Sequence, residues 1–254
     1  MPRISVVIIT CNEEQNIGRC IDSVKEVADD IVVLDSGSAD NTINIAKEKG
    51  ARVFQHGFDN FVAQKNRALT YASFPHILSL DADEALSQQL KDSILEIKNN
   101  WKHDGYKFNR LTNFCGRWIR HGGWYPDCRI RLWDSSKGNW QGNRLHETVK
   151  LNRHSSVGFL KGNMLHYSFY SVSQHIGQIN KYTDISSKAA YDKGKRTNRL
   201  EIFFKPKWKF LRDYLFKLGF LDGFYGYVVC RNSAFAKYLK YTKLYQLSKN
   251  AEKQ

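Results

Sequence analysis

Residues His76–Glu84 read HILSLDADE, and no other stretch restricts the possible folds as strongly. Ile77, Leu78 and Leu80 form a short apolar strand that runs directly into Asp81-Ala82-Asp83-Glu84. Successive side chains of an extended chain point to opposite faces, so Asp81 and Asp83 are expected on one side. Carboxylates held that way repel each other unless a cation lies between them. Mg²⁺ and Mn²⁺ take oxygen ligands, commonly one or two carboxylates together with substrate phosphates. Open α/β sheets hold ligands beyond the carboxyl ends of their strands. On its own the motif leaves two structures open, a metal–diphosphate site or a polar turn that caps a helix.

The chain around this motif alternates strand and helix. Ile4–Thr10 is a β-branched run of the kind buried on both faces of a sheet. Gln15–Val27 carries Ile17, Cys20, Ile21 and Val24 at helical spacing, and Asp30–Asp35 is a second buried strand. A short helix over Asn41–Lys49 ends at Gly50, and Arg52–Gln55 forms a third strand. A helix that Asn60 or a neighbour starts runs through Tyr71 ahead of the ILSL strand, and another follows from about Ser87, its expected N-cap, to Trp101. Such alternation predicts right-handed crossovers and a mostly parallel α/β sheet flanked by helices.

Beyond Gly105 the pattern changes. Gly105–Leu111 and Arg129–Trp133 read as strands around an aromatic, turn-rich loop, Asn113–Cys128. Gly138–Val149 reads as a loop running into a strand, and residues 158–168 add one more. From Ser171 onward the chain is helical and basic. The expected division is a catalytic domain over residues 1–170 and a helical, basic region over residues 171–254 that faces a membrane or an acceptor.

Charge divides along the same line. Residues 1–100 hold 10 Lys and Arg against 15 Asp and Glu, a net −5. Residues 101–254 hold 29 against 10, a net +19, of which residues 193–254 supply +11. An acidic half joined to a basic one suggests a catalytic region and a surface that meets an anionic partner. Lys205, Lys207, Lys209, Arg212 and Lys217 interleave with Phe, Trp and Leu, a composition suited to an anionic membrane interface or to the solvated face of a packing helix. The 5 cysteines are scattered, odd in number and without a CxxC pair, which fits a reducing compartment. Cys115 and Cys128, with His103 and His121, match no zinc spacing. No secretory leader and no apolar run near the ~20 residues of a membrane span is evident, so a cytoplasmic location is expected.

Three strands end in polar segments: Thr10-Cys11-Asn12-Glu13, Asp35-Ser36-Gly37-Ser38-Ala39-Asp40-Asn41-Thr42 and Asp81-Ala82-Asp83-Glu84. Singly, Asn12 and Asp40 read as caps and Gly37 as a turn residue. Together they belong to one edge of a parallel sheet. Arg129 and Arg131, at period-two spacing, face one way by strand alternation and suit a phosphate or a solvated strand face. Trp118, Trp124, Tyr125 and Trp140 suit a sugar-stacking lid or a core.

These motifs resemble the family 2 glycosyltransferases of the GT-A fold. The resemblance rests on ISVVIITCNEE, DSGSADNT, QKNRAL and LSLDADE, in that order, and covers about residues 3–150. It implies that Thr10, Asn12, Glu13 and Asp35 hold the base and ribose of a nucleotide-sugar. By the same resemblance Asp81 and Asp83 hold a divalent cation, Mg²⁺ or Mn²⁺, and the diphosphate, with Asp83 the closer metal ligand. Lys65 approaches the diphosphate or is an exposed helix lysine. Arg129 and Arg131, if they meet phosphate and not solvent, are suited to grip the donor diphosphate or a phosphorylated acceptor. A general base must take the acceptor proton, and Asp127, Asp134 and Glu147 are the candidates. Glu147 is preferred because it follows a glycine-containing loop, as the family's acidic base does, although the chain has His146-Glu147 where Glu-Asp is usual. HETV and LFKLGFLDGFYG are similar to bacterial glucosyltransferases of the lipopolysaccharide inner core. That likeness implies UDP-glucose as donor, a lipopolysaccharide core heptose as acceptor, and peripheral attachment to the inner face of the bacterial inner membrane.

Two other classes fit the sequence less well. A nucleotidyltransferase opens with a Gly-rich loop ending in basic residues, and none follows Ile4–Thr10. A nucleic-acid-binding protein needs a basic patch and no acidic metal site, so the acidic first half argues against nucleic acid as a partner.

Overall fold

The computed structural model describes residues 1–143 and 146–251. Arg144, Leu145 and the side chains of Asn143 and His146 lie outside the described residues.

The chain opens with β1 (Ile4–Thr10), α1 (Ile17–Val24), β2 (Asp30–Asp35), α2 (Thr42–Glu48), β3 (Arg52–Gln55), α3 (Phe61–Thr70) and β4 (His76–Asp81). The four strands pair in parallel in the order β3-β2-β1-β4. Registers are level at the carboxyl end, where Thr10 lies opposite Asp35 and Ile9 opposite Asp81. Strand separation is about 4.8 Å, so segments far apart in sequence end side by side. The sequence expectation of a sheet built by strand–helix alternation holds for this half.

Next come β5 (Glu84–Leu86), α4 (Gln88–Asn99), β6 (Gly105–Phe114), β7 (Arg117–Ile119), β8 (Asp127–Asp134), β9 (Gly138–Asn143), β10 (His146–Leu151) and β11 (Val157–Phe169). β8 joins β4 antiparallel, and the mixed sheet continues through β6 and β11 to β5. Strand β5 was not expected. Glu84-Ala85-Leu86 follows the acidic turn at once and pairs with Met164–His166. The segment read as a loop running into a strand is a hairpin, β9 against β10.

Alternation along β1 explains the two cores. Ile4, Val6 and Ile8 join α1, α2 and α4 on one face, with Ile17, Ile21, Ala46, Leu90 and Ile94. Val7 joins Val32, Leu34, Ala68, Trp133, Trp140 and Val149 on the other. Each fully buried Val, Leu or Ile contributes about 2 kcal/mol. Asn60 and Ser87 cap α3 and α4, as expected, by accepting from Ala63 N–H and Leu90 N–H.

The chain divides into two compact units, one of residues 1–111 and 127–167, the other of residues 112–126 and 168–254. The second contains α5 (Val172–Asp192), α6 (Arg199–Leu211) and α7 (Gly223–Ala251), with a π-helical turn over Arg212–Phe216. Its core gathers Phe114, Ile119, Phe169 and Val229. Asp222 accepts from the backbone N–H groups of Arg120 and His121 and pairs with His121 Nδ1 at 2.9 Å, which ties the aromatic loop down. Gly226 has no room for a side chain, because a Cβ there would stand 2.0 Å from Gly219 O. Among the described residues, no helix is long and apolar enough to cross a membrane.

Candidate active site

Thr10, Asn12, Glu13, Asp35, Asp81 and Asp83 belong to the first unit and lie at or just beyond the carboxyl ends of β1, β2 and β4. The loops after β1 and β2 are tied together. Asn12, with φ 53°, donates its N–H to Ser38 Oγ and accepts from Ala39 N–H, both at 2.8 Å. Glu13 N–H donates to Thr42 Oγ1. Asp40 accepts from Thr42 and from Glu14, so it serves as a local cap and as a tie. Asp35 is fully buried and its carboxylate accepts from Gly37 N–H, Ser38 N–H and Ser38 Oγ. It shapes the turn from within. Thr10 Oγ1 is buried with no hydrogen-bond partner among the described residues. Burial raises the Glu13 pKa against the Asn16 hydrogen bond, and the Asp83 and Asp40 charges add to the rise.

Asp81 and Asp83 take different partners. The Asp81 carboxylate lies 2.8 Å from Lys65 Nζ and 3.5 Å from Arg131 Nη2. Burial works against its charge, but Lys65 and Arg131 outweigh it and hold the group well below the usual carboxylate range. Asp83 Oδ2 faces His166 Nε2 at 3.1 Å. Burial disfavours the charged imidazole, yet the Asp83 carboxylate raises its pKa above the ordinary value. Sequence reasoning missed His166. A single histidine in β11 gives no signal by itself. The pairing of β11 with β5, which sets His166 opposite Glu84, and the Tyr167 N–H bond to Asp83 O place it.

Lys65 is not an exposed helix lysine. It is 1% exposed, on the face of α3 turned to the sheet, with its ammonium 4.3 Å from the Trp140 ring centre. The same ammonium stands 3.8 Å from Glu147 Oε1. Asn66 explains how Glu147 arrives there. Its side chain donates to Trp140 O at 2.9 Å and accepts from Trp140 N–H at 3.0 Å, docking the β9–β10 hairpin on α3. Glu147 itself sits on β10 opposite Gly142. Neither Asn66 nor this docking was anticipated.

Arg129 and Arg131 do not face one way. Tyr106 pairs with Leu132 and Lys107 with Ile130, so Arg131 is the extra residue of a bulge in β8. Bulges re-aim side chains, often beside active sites. Arg131 is buried between Glu84, at 3.2 Å, and Asp81, while Arg129 is exposed and pairs with Asp127 at 2.7 Å. Glu84, also missed, is buried and accepts from Asp81 N–H at 2.9 Å. Its charge is offset by Arg131 and, at 3.8 Å, by Arg110. Of the other two base candidates, Asp127 is paired by Arg110 and Arg129, and Asp134 caps the turn at Ser136. Trp140 is buried against Trp133, and Trp124 packs on Phe114 and Phe169, so those two rings are core.

Chemically, the edge offers one carboxylate facing an imidazole, one buried ammonium, and a partly exposed carboxylate beside it. Among the described residues, no three His, Cys, Asp or Glu side chains converge as a metal cage. A cation here would use Asp83 and His166 and complete its shell from a ligand, the habit of Mg²⁺ and Mn²⁺ at phosphates.

The chain is similar to several known proteins. An uncharacterised glycosyltransferase of Rickettsia typhi is 33% identical over 98% of this chain and 88% of its own length. The lipopolysaccharide core biosynthesis glycosyltransferase LpsC of Rhizobium meliloti is 27% identical over 96% of this chain and 92% of its own. Among solved structures, glucosyl-3-phosphoglycerate synthase from Mycobacterium tuberculosis, in complex with Mn²⁺, UDP and glucosyl-3-phosphoglycerate, is 24% identical over 44% of each chain with a TM-score of 0.38. The model of glycosyl transferase family 2 matches residues 5–171, and the chain belongs to that family of glycosyltransferases.

Proposed function

We propose that the protein is an inverting hexosyltransferase that moves glucose from UDP-glucose onto a heptose of the lipopolysaccharide or lipooligosaccharide inner core, assisted by Mg²⁺ or Mn²⁺. The observation that carries this reading is the meeting of Asp83–His166 and Lys65–Asp81–Glu147 at one edge of the sheet. Asp83 and His166 would hold the cation, and when bound it neutralises charge on the departing diphosphate. Asp81, already matched by Lys65 and Arg131, keeps those cations fixed beside the diphosphate. The loops of Thr10, Asn12 and Glu13, stiffened by Asp35, take the base and ribose. Arg129 is exposed and keeps donors for a donor or acceptor phosphate. Glu147 accepts the proton of the attacking hydroxyl, and attack opposite the leaving group inverts the anomeric carbon.

The acceptor class draws support from the name of the Rhizobium meliloti relative and from the +11 charge of residues 193–254. The exposed rings and cations of α6 support peripheral attachment at the anionic inner face of the bacterial inner membrane. A panel of nucleotide-sugars with Mn²⁺ or Mg²⁺ tests the reading, with nucleotide release measured with and without truncated lipopolysaccharide core. UDP release from UDP-glucose should rise with the core acceptor, and the product should carry a β-linked glucose. Transfer to a different lipid-linked acceptor would move the protein to another cell-surface polysaccharide. Release from no nucleotide-sugar would end the proposal.

A further inference from the structure

Helices α6 and α7 enclose a groove of about 890 Å³ within the second unit. Phe203, Phe204, Trp208, Leu211, Phe235 and Tyr238 line it. The rings are on show: Phe204 is 59% and Trp208 56% exposed, and Phe216, at 69%, lies 5.9 Å from Trp208. An apolar surface of this kind marks a binding site for a protein, a membrane or a ligand.

Charge narrows the choice. The groove also takes in Arg199, Lys207 and Arg231, all exposed. The acidic side chains of the same region are already engaged. Glu201 pairs with Lys205, Asp213 with Lys209 and Arg212, and Asp222 with His121. Among the described residues, Arg199, Lys207 and Arg231 have no carboxylate partner; Lys207 lies over the Phe203 ring at 3.5 Å and Arg231 over the Phe210 ring at 5.5 Å. A second copy of this surface would bring two strongly positive faces together, which is repulsive. A peptide would bury backbone N–H and C=O groups against rings that cannot bond them, at a cost. A hydrocarbon chain makes no such demand, and the groove lies in the volume range of ligand sites.

We propose that this groove seats one acyl chain of an anionic membrane lipid, with Arg199, Lys207 and Arg231 spread along its basic rim against the anionic headgroups of the surface. The inference deepens the membrane attachment suggested above and is independent of the transfer chemistry.

Its test uses the full chain with phosphatidylcholine vesicles, with and without phosphatidylglycerol, whose tails are brominated. Wild-type protein should bind only the anionic vesicles, and tail bromine should quench Trp208 emission. Trp208→Phe should bind while losing that quenching. Replacing Arg199 and Arg231 by Gln should weaken binding about fivefold per charge. Ala234→Trp, which fills the groove, and Phe235→Glu at its exposed wall should abolish tail quenching and leave binding that high salt reverses. Equal binding to neutral vesicles, no tail quenching in the wild type, or quenching unchanged by both groove variants would overturn the proposal. Binding without tail quenching would leave surface attachment standing and remove the seat alone. Nucleotide release from UDP-glucose, read on the same samples, reports the transfer reaction separately.

Discussion

Lys65 on α3 and Asp81 at the end of β4 form an ion pair at 2.8 Å, with the lysine side chain 1% exposed. Its ammonium also stands 3.8 Å from Glu147. A buried lysine persists only when paired, because its charge is costly away from water. Asp81 is about a quarter exposed and keeps Arg131 as a second partner, so the loss on removing Lys65 falls below that of a fully buried pair. Lys65→Met should destabilise the fold by about 2 kcal/mol in urea unfolding. Asp81→Asn in the same background should cost much less than it does alone, with a coupling of about 1 kcal/mol or more. Additive effects of the two changes would separate the residues energetically.

Asp83→Asn and His166→Ala should each lower Mn²⁺-stimulated transfer on the order of 100-fold, since Lewis-acid stabilisation is worth several kcal/mol. Titration of Mn²⁺ followed by electron paramagnetic resonance in the presence of UDP should show weaker binding in both variants. Unchanged Mn²⁺ affinity would remove both from the cation's shell.

Glu147→Gln keeps the shape of the side chain and removes its basicity. Transfer should fall by roughly 10²- to 10⁴-fold, the contribution of a positioned general base. Calorimetric affinity for UDP should stay within about twofold, because uniform binding is untouched. Wild-type turnover in this variant would return the role of base to another residue.

His175 gives the second unit a pH response. Its ring is caged by Phe114, Trp124 and Phe169, with Nδ1 3.0 Å from Asn232 Nδ2. Burial pushes its pKa down to about 4. The unfolded chain binds a proton near the ordinary value of about 6.5 and the folded chain does not. Stability is therefore complete above that value and drains away as pH falls towards the folded pKa. Between about pH 7 and about pH 5 the loss should be about 2 kcal/mol. His175→Phe should flatten this slope in urea titrations, whatever its effect at neutral pH. An unchanged slope would assign the acid sensitivity elsewhere.

Local pattern sufficed for the strands β1 to β4, the caps at Asn60 and Ser87, and the polar ends of β1, β2 and β4. Each depends on short-range periodicity or capping, both written in neighbouring residues. Period-two reasoning failed at Arg131, because a bulge in β8 is set by cross-strand register with β6 and not by β8 itself. The roles of His166, Glu84 and Asn66 were unreadable for a related reason. Each acquires its place through a long-range pairing: β11 on β5, Arg131 over Glu84, and the hairpin on α3.

The sequence by itself determined an acidic sheet edge, a basic helical tail, and the family whose motifs they carry. Only the tertiary structure decided that Asp81 answers to Lys65 and Arg131 while Asp83 faces His166. The physical reason is the desolvation of charge. A buried ion must find its opposite, and which opposite lies within reach depends on how sheet registers and a docked hairpin bring distant residues together.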